Sequence, residues 1–144
     1  MPEQQDTRSD RISLTAVLVD TAAAAAFDRW VVPEQLTQWW PPIAEVDPVQ
    51  GGSYHFFWPA QNWHLRGRFA EFQPGNRLTY TWRWDHDPHD AETIVDAHFD
   101  ALPTGGTALT VTHGPYPDTE AGRERRQEHL DGWMYFLGRL EALG

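Results

Sequence analysis

The sequence predicts an α+β protein in which a curved antiparallel sheet surrounds one long C-terminal helix. Five successive segments between residues 53 and 113 alternate apolar and polar side chains, and Gly, Pro or Asn residues separate them, as in a meander of half-buried strands. Residues 118–143 change to helical spacing. A sheet with one apolar face must cover that face, and the final helix is the only predicted element large enough to do so. The 144 residues suffice for one such domain.

The chain is predicted to begin with a flexible segment followed by a strand. Residues 1–10 are polar and are expected to be flexible, so the domain is placed at residues 11–144. Residues 11–19 are rich in β-branched and aliphatic side chains that alternate on one face. This alternation predicts a strand.

Two short helices are predicted next. Asp20 or Thr21 is expected to cap the first helix, which begins with alanines at residues 22–26, the strongest helix-forming residue type. Pro33 suits the first turn of a second helix, and Pro41-Pro42 ends it. This second helix is expected to carry Leu36, Trp39 and Trp40.

The meander supplies most of the predicted core. A further short strand near residues 44–46 would make it six-stranded. One face is polar, through residues such as Arg66, Arg83 and Asp96. The inward-facing side chains are predicted to be Tyr54, Phe56, Trp58, Trp63, Leu65, Gly67, Phe69, Leu78, Tyr80, Trp82, Trp84, Thr93, Val95, Ala97, Phe99, Thr107, Leu109, Val111 and His113.

The C-terminal helix is amphipathic and is expected to leave a gap above the sheet. Asp118 or Thr119 can cap it, and an apolar stripe follows at Leu130, Trp133, Met134, Leu137 and Leu140. A twisted sheet rarely meets a straight helix flush along its length, so a cavity lined by aromatic rings is predicted. Gly132 and Gly138 each cost ~1 kcal/mol relative to alanine within a helix. Either close packing or room for a ligand would explain them.

Composition excludes several kinds of chemistry. The chain has no Cys and no Lys, and its only serines are Ser9, Ser13 and Ser53, which leaves little material for covalent catalysis. A net charge of −10 disfavours nucleic acid and anionic membranes as partners. The N-terminus lacks the pattern of a signal peptide. A cytoplasmic location and no cofactor are therefore expected.

Several motifs resemble those of the heat-shock-protein ATPase activator homologue family. They occur in the family's order, and the match spans roughly residues 11–143. The resemblance implies the helix-grip fold of the START/SRPBCC superfamily, with the order β-α-α-β6-α and a deep cavity between sheet and helix. Superfamily members bind lipids, hormones or polyketides, and some are cyclases, hydrolases or co-chaperones. The motifs are Phe27-Asp28-Arg29-Trp30, Leu36-Thr37-Gln38-Trp39-Trp40, Gly51-Gly52-Ser53-Tyr54, Leu78-Thr79-Tyr80-Thr81-Trp82, Gly106-Thr107 through Thr112-His113, and Gly132-Trp133 with Leu137 and Leu140.

The aromatic set predicts a binding site for a hydrophobic, aromatic or polycyclic molecule, although plain core packing would use the same residues. His113 is expected to face inward, either as a hydrogen-bonded core histidine or as an acid–base or ligand-orienting group assisted by Tyr116, Tyr54 or Tyr80. Trp39 and Trp40 are expected at the cavity rim or in a dimer contact. The predicted ligand-binding residues are Trp39, Tyr54, Phe56, Trp58, Trp63, Tyr80, Trp82, Trp84, Phe99, Leu109, His113, Trp133, Met134 and Leu137.

Three functions are compatible with this pattern. The first is sequestration or transport of a hydrophobic small molecule, and the second is a cyclase- or hydrolase-type enzyme that works without covalent attachment. The third is a protein-interaction module, with a chaperone as its candidate partner. Residues 85–90 combine His and Asp but contain Pro88 and are very polar, so a solvated loop is preferred there to a metal site.

Overall fold

The computed structural model describes residues 1–87 and 92–144. Helices and strands alternate in the predicted order, β-α-α-β6-α, with one additional strand at the start. Their bounds are β1 Glu3–Gln4, β2 Ile12–Leu18, α1 Ala23–Val31, α2 Pro33–Leu36, β3 Ile43–Val46, β4 Ser53–Trp58, β5 Trp63–Gln73, β6 Arg77–Trp84, β7 Thr93–Ala101, β8 Thr107–Gly114 and α3 Glu120–Ala142.

The strands form one antiparallel sheet in the order β1-β2-β8-β7-β6-β5-β4-β3. Strands β3 to β8 follow one another as a meander, and β2 joins it on the far side by pairing with β8, so that Leu14 lies opposite Val111. Inward residues of β2, β7 and β8 are almost completely buried. The first and last long strands, β2 and β8, are therefore neighbours in the sheet.

Helix α3 lies over the apolar face of the sheet and closes the core. Its Leu130, Leu137 and Leu140 are buried, and Phe27 and Trp30 of α1 fill the adjoining space. The predicted α+β class and helix-grip architecture are thereby confirmed. None of the helices within residues 1–87 and 92–144 combines the length and apolarity needed to cross a bilayer.

Strand β1 is an element that the sequence analysis did not predict. Glu3 pairs with Thr15, and Gln4 pairs with Leu14, at the edge of β2. Pro2 is buried beside Gly138 of α3. Because main-chain hydrogen bonds to a free strand edge do not depend on side-chain identity, a polar segment can pair there without an apolar pattern.

The helix ends differ in part from expectation. Helix α1 begins after Ala22 and has no side-chain cap, so the predicted cap at Asp20 or Thr21 is wrong. The Thr21 hydroxyl instead donates to the Gly144 carbonyl at 2.6 Å. Helix α2 ends at Leu36, so Trp39 and Trp40 lie beyond it rather than on it. The expected cap of α3 is confirmed, because Thr119 Oγ1 accepts from the Gly122 N–H at 3.0 Å.

Gly67 allows the ring of Tyr54 to cross from β4 onto β5. The two residues are register partners, and a Cβ at position 67 would lie 2.6 Å from the Tyr54 ring. The Tyr54 hydroxyl extends over this gap and donates to the Thr81 carbonyl at 2.6 Å. Farther along β5, a register shift between Phe69 and Glu71 interrupts the pairing with β6. Such a bulge bends the strand that carries it and increases its local twist.

Candidate ligand pocket

A pocket of about 440 Å³ lies between α3, the β4–β5 hairpin and the end of β6. This volume is within the range of small-molecule sites, about 300–1,000 Å³. Most of its wall is aromatic. The lining residues are Trp40, Trp58, Gln61, Trp63, Trp82, Trp84, His86, Arg125, Glu128, His129, Gly132, Trp133 and Phe136.

Helix α3 contributes one continuous stripe to the pocket. The spacing of three or four residues places these side chains on one helix face, which is rotated from the face carrying Leu130 and Leu137. The helix therefore presents its leucines to the packed half of the sheet and a mixed polar and aromatic stripe to the pocket. The stripe consists of Arg125, Glu128, His129, Gly132, Trp133 and Phe136.

Trp82 is at the centre of the aromatic wall. Its ring stacks on Trp40 with centroids 5.7 Å apart and planes 24° apart, and it also contacts Trp84 and Trp133. Trp82 is 4% exposed, and within residues 1–87 and 92–144 its Nε1–H meets no hydrogen-bond acceptor. An unmet buried donor costs about 1–3 kcal/mol. The aromatic wall thus contains a buried indole N–H, and the free-energy cost of burying it is not offset by any hydrogen bond from the described residues.

His129 reaches the pocket from α3. The Trp84 Nε1–H donates to its Nε2 at 3.1 Å. Since Nε2 is an acceptor, the proton of the neutral ring is on Nδ1, which donates to the Tyr116 hydroxyl oxygen at 2.7 Å. Burial, and then the charge of Arg125, lower the pKa of His129 to about 3. His129 is therefore neutral at physiological pH.

His113 lies behind the pocket and is fully buried. The Trp133 Nε1–H donates to its Nδ1 at 3.0 Å, so Nε2 holds the proton and donates to Thr93 Oγ1 at 2.7 Å. Burial, and then the neighbouring His129, lower the pKa of His113 well below its ordinary value. Both of its ring nitrogens are occupied by core partners, which is the structural role considered in the sequence analysis.

Charged and aromatic side chains surround the mouth of the pocket. Trp63 is 42% exposed and stacks on His86 with centroids 5.0 Å apart. Arg125 of α3 forms an ion pair with Asp87, just beyond β6, and its side chain approaches Glu128 at 3.5 Å. Burial, and then Arg125, lower the pKa of His86. The mouth is thus held by contacts between α3 and the end of β6.

The structure brings five of the predicted residues into the pocket and places the others elsewhere. Trp63 lines the mouth rather than the buried interior that its strand parity predicted, because it is the first residue of β5. Trp39 is completely buried and donates to the Arg29 carbonyl, so neither it nor buried Trp40 forms an exposed dimer contact. In the pocket are Trp58, Trp63, Trp82, Trp84 and Trp133. Outside its lining are Trp39, Tyr54, Phe56, Tyr80, Phe99, Leu109, His113, Met134 and Leu137.

Two features keep the other predicted residues out of the pocket lining, the rotation of α3 about its axis and the close packing of aromatic rings in the core. Helix α3 turns Phe136 rather than Met134 towards the pocket, and the core half of the sheet is filled by rings such as Phe27 against Phe99 at 5.3 Å. Eight lining residues are absent from the predicted ligand-binding set, but two of them agree with other expectations, Trp40 at the cavity rim and Gly132 as room for a ligand. A helical wheel extended from Trp133 by four and eight residues upstream and by three downstream would have found His129, Arg125 and Phe136. The residues that the sequence did not indicate are Gln61, His86, Arg125, Glu128, His129 and Phe136.

The Asp- and His-rich loop is only partly described. His86 and Asp87 contact Trp63 and Arg125 respectively, whereas His89 and Asp90 lie outside the described residues. Among the residues that are described, no group of three or more His, Asp or Glu side chains is arranged to hold a metal ion.

Comparison with known families identifies the fold. The family model described as Activator of Hsp90 ATPase homolog 1-like protein matches residues 20–144. This chain belongs to that family. The family expected from the sequence motifs is thereby confirmed, together with its START/SRPBCC-like architecture. Among curated proteins, none matches this member of the Hsp90 ATPase activator homolog family.

Solved structures similar to this family member cover nearly the whole chain. Protein CV1439 from Chromobacterium violaceum is 27% identical with a TM-score of 0.75, over 94% of this chain and 97% of that one. An HSP90 activator from Plasmodium falciparum is 20% identical with a TM-score of 0.72, over 92% and 94% respectively. DynU16, from the dynemicin biosynthetic locus, is 16% identical with a TM-score of 0.77, over 92% and 46%. The last two show likeness of fold alone.

Proposed function

We propose that this protein binds an aromatic or polycyclic small molecule in the pocket between α3 and the β4–β5 hairpin. The observation that carries the proposal is the pocket's wall, in which six tryptophans surround about 440 Å³ of open space. A plain core fills its interior at a density near 0.74 and leaves few voids larger than a water molecule. In this protein Trp39 is completely buried against other aromatic rings, whereas Trp58 lines the open space of the pocket. The fold is also one whose members bind hydrophobic ligands.

Binding is favoured over catalysis by the state of the histidines. His113, the predicted acid–base candidate, lies outside the pocket lining. His129 does reach the pocket, but its two ring nitrogens are already engaged by Trp84 and Tyr116. Its pKa of about 3 also makes it a weak base at neutral pH. We therefore propose carriage or sequestration rather than a cyclase or hydrolase reaction.

A chaperone-related role has less support from the geometry. The Plasmodium structure is described as an HSP90 activator, but its 20% identity to this chain bears on the fold alone. The pocket is concave, aromatic and of small-molecule size, whereas a protein partner is usually bound by a broader surface. A small hydrophobic molecule therefore remains the proposed partner.

Titration with a polarity-sensitive dye tests the proposal. Prodan, a flat naphthalene ketone, is added to the protein while its emission and the tryptophan emission are recorded. We expect saturable one-to-one binding, a blue shift of the dye and quenching of tryptophan, because the rings of the wall would contact it. Native mass spectrometry of freshly purified protein should show a co-purified small molecule. Absence of saturable binding of both prodan and Nile red, together with an unliganded native mass, would overturn the proposal.

A further inference from the structure

Gly132 leaves a notch in the middle of the pocket-facing stripe of α3. A Cβ built at this position would meet no described atom within 4 Å. Four residues to either side, Glu128 and Phe136 project into the same pocket. The notch therefore exposes helix backbone between two side chains whose Cα atoms are separated by about 12 Å along the helix axis.

Packing does not account for this glycine. Gly122, in the first turn of α3, is required sterically because a Cβ there would lie 2.0 Å from the Pro117 carbonyl oxygen. Gly132 has no such neighbour, and it is in the interior of a 23-residue helix, where glycine is less favourable than alanine. The close-approach explanation considered for Gly132 is therefore wrong, and open space at the pocket is what the residue provides.

We propose that Gly132 is the specificity-determining position of the pocket, and that it seats the face of a flat fused-ring ligand directly against the backbone of α3. This inference rests on the proposed function. The notch is one side chain deep and is open along the helix axis, so a planar ring fits into it. The indoles of Trp82 and Trp133 provide rings against which the ligand can pack. A puckered or branched molecule of the same carbon count is too thick for the same seat.

The matched control is Gly138, six residues farther along the same helix. It lies outside the pocket lining, and a Cβ there would make only an ordinary contact, 3.8 Å from Pro2 Cδ. Gly132→Ala and Gly138→Ala thus make the same chemical change in the same helix. Both are expected to raise Tm, by about 2–4 °C for each kcal/mol of added helix stability.

Ligand binding should separate the two variants. Gly132→Ala is expected to weaken prodan binding by about five- to tenfold, because the added methyl group occupies the seat; Gly132→Leu should abolish it. Gly138→Ala should bind prodan as the unmodified chain does. A variant that gains thermal stability but loses affinity for prodan would show that the glycine serves ligand binding and not helix stability.

Shape selectivity provides a second measurement on the unmodified protein. Naphthol and its saturated, puckered counterpart decahydronaphthol are used to displace prodan. We expect naphthol to act at about tenfold lower concentration, and we expect Gly132→Ala to reduce that advantage. If Gly132→Ala and Gly138→Ala bind prodan equally well, or if Gly132→Ala lowers Tm, the inference is overturned while the proposed function stands. If neither prodan nor Nile red binds the unmodified chain, both are overturned.

Discussion

The imidazole rings of His113 and His129 lie parallel, with centroids 5.0 Å apart and planes inclined by 9°. Each ring accepts a hydrogen bond from a tryptophan N–H, His113 from Trp133 and His129 from Trp84. A proton added to either accepting nitrogen would oppose an indole donor and would place a charge beside the second ring. These contacts therefore favour the neutral form of both imidazole rings.

Folding stability should fall as the pH is lowered from 7 to 5. The folded-state pKa values of His113 and His129 are lowered, so below about pH 6.5 the unfolded chain binds protons that the folded chain does not. The full free energy of unfolding is therefore reached above about pH 6.5, and it decreases as the pH falls below that value. Each histidine should lower the free energy of unfolding by about 2 kcal/mol between pH 7 and pH 5. Urea denaturation at a series of pH values measures it.

Amide replacements provide the control for this pH dependence. In His113→Asn the side-chain oxygen can take the place of Nδ1, and in His129→Gln it can take the place of Nε2, so the tryptophan donors keep acceptors. The double variant should show a clearly flatter stability profile between pH 7 and 5. An equally steep profile would mean that other groups cause the dependence.

Removing the indole donor should make His129 easier to protonate. In Trp84→Phe the Nε2 atom of His129 loses its N–H partner, and a neighbour that opposes protonation disappears. We expect the pKa of His129 to rise by at least about one unit, as followed by the imidazole resonances in an NMR titration. Trp58→Phe removes comparable ring area from the same pocket without touching His129. A rise of equal size in both variants would contradict the proposed cause.

The Tyr116 hydroxyl should contribute measurably to stability. Tyr116 is buried and its oxygen is 2.7 Å from His129 Nδ1, so Tyr116→Phe leaves that ring N–H without its acceptor. The expected loss is about 1–3 kcal/mol of unfolding free energy. Tyr135→Phe, at an exposed position on α3, the helix that carries His129, should change stability by less than about 0.5 kcal/mol. Chemical denaturation compares them, and equal losses would count against the bond.

Adjacent residues of α3 should separate stability from binding. Leu137 is completely buried in the core, whereas Phe136 lines the pocket. Leu137→Ala is expected to cost about 2–5 kcal/mol of stability and to preserve prodan affinity in the folded fraction. Phe136→Ala should cost less stability but weaken prodan binding by about tenfold. Calorimetric titration and denaturation on both variants measure the two quantities, and the reverse pattern would place the ligand elsewhere.

The strands were predictable because their signal is local. The alternation of Tyr54 with Phe56, or of Tyr80 with Trp82, fixes which side chains share a face, and each of these four is buried as expected. The long helix and its capping Thr119 follow equally local rules. Strand β1 could not be found in this way, since its pairing depends on the edge that β2 offers.

The pocket was harder to predict than the face on which it lies. Sequence parity places Phe99 and Trp84 on the same side of the sheet, but only Trp84 lines open space. Which part of that side is filled depends on the rotation of α3 and on where Trp39 and Trp40 settle after α2 ends. These are long-range packing outcomes. They also explain why His129, and not His113, faces the pocket.

The pairing of β2 with β8 has a consequence for synthesis on the ribosome. Leu18 lies opposite Thr107, so about 90 residues must follow the first long strand before its partner exists. At about 5–20 residues per second, that strand waits for several seconds with an apolar face and with the edge that β8 will cover still open. The nascent chain is therefore most exposed to misassembly before its last quarter emerges, and completion of β8 is the event that ends this exposure.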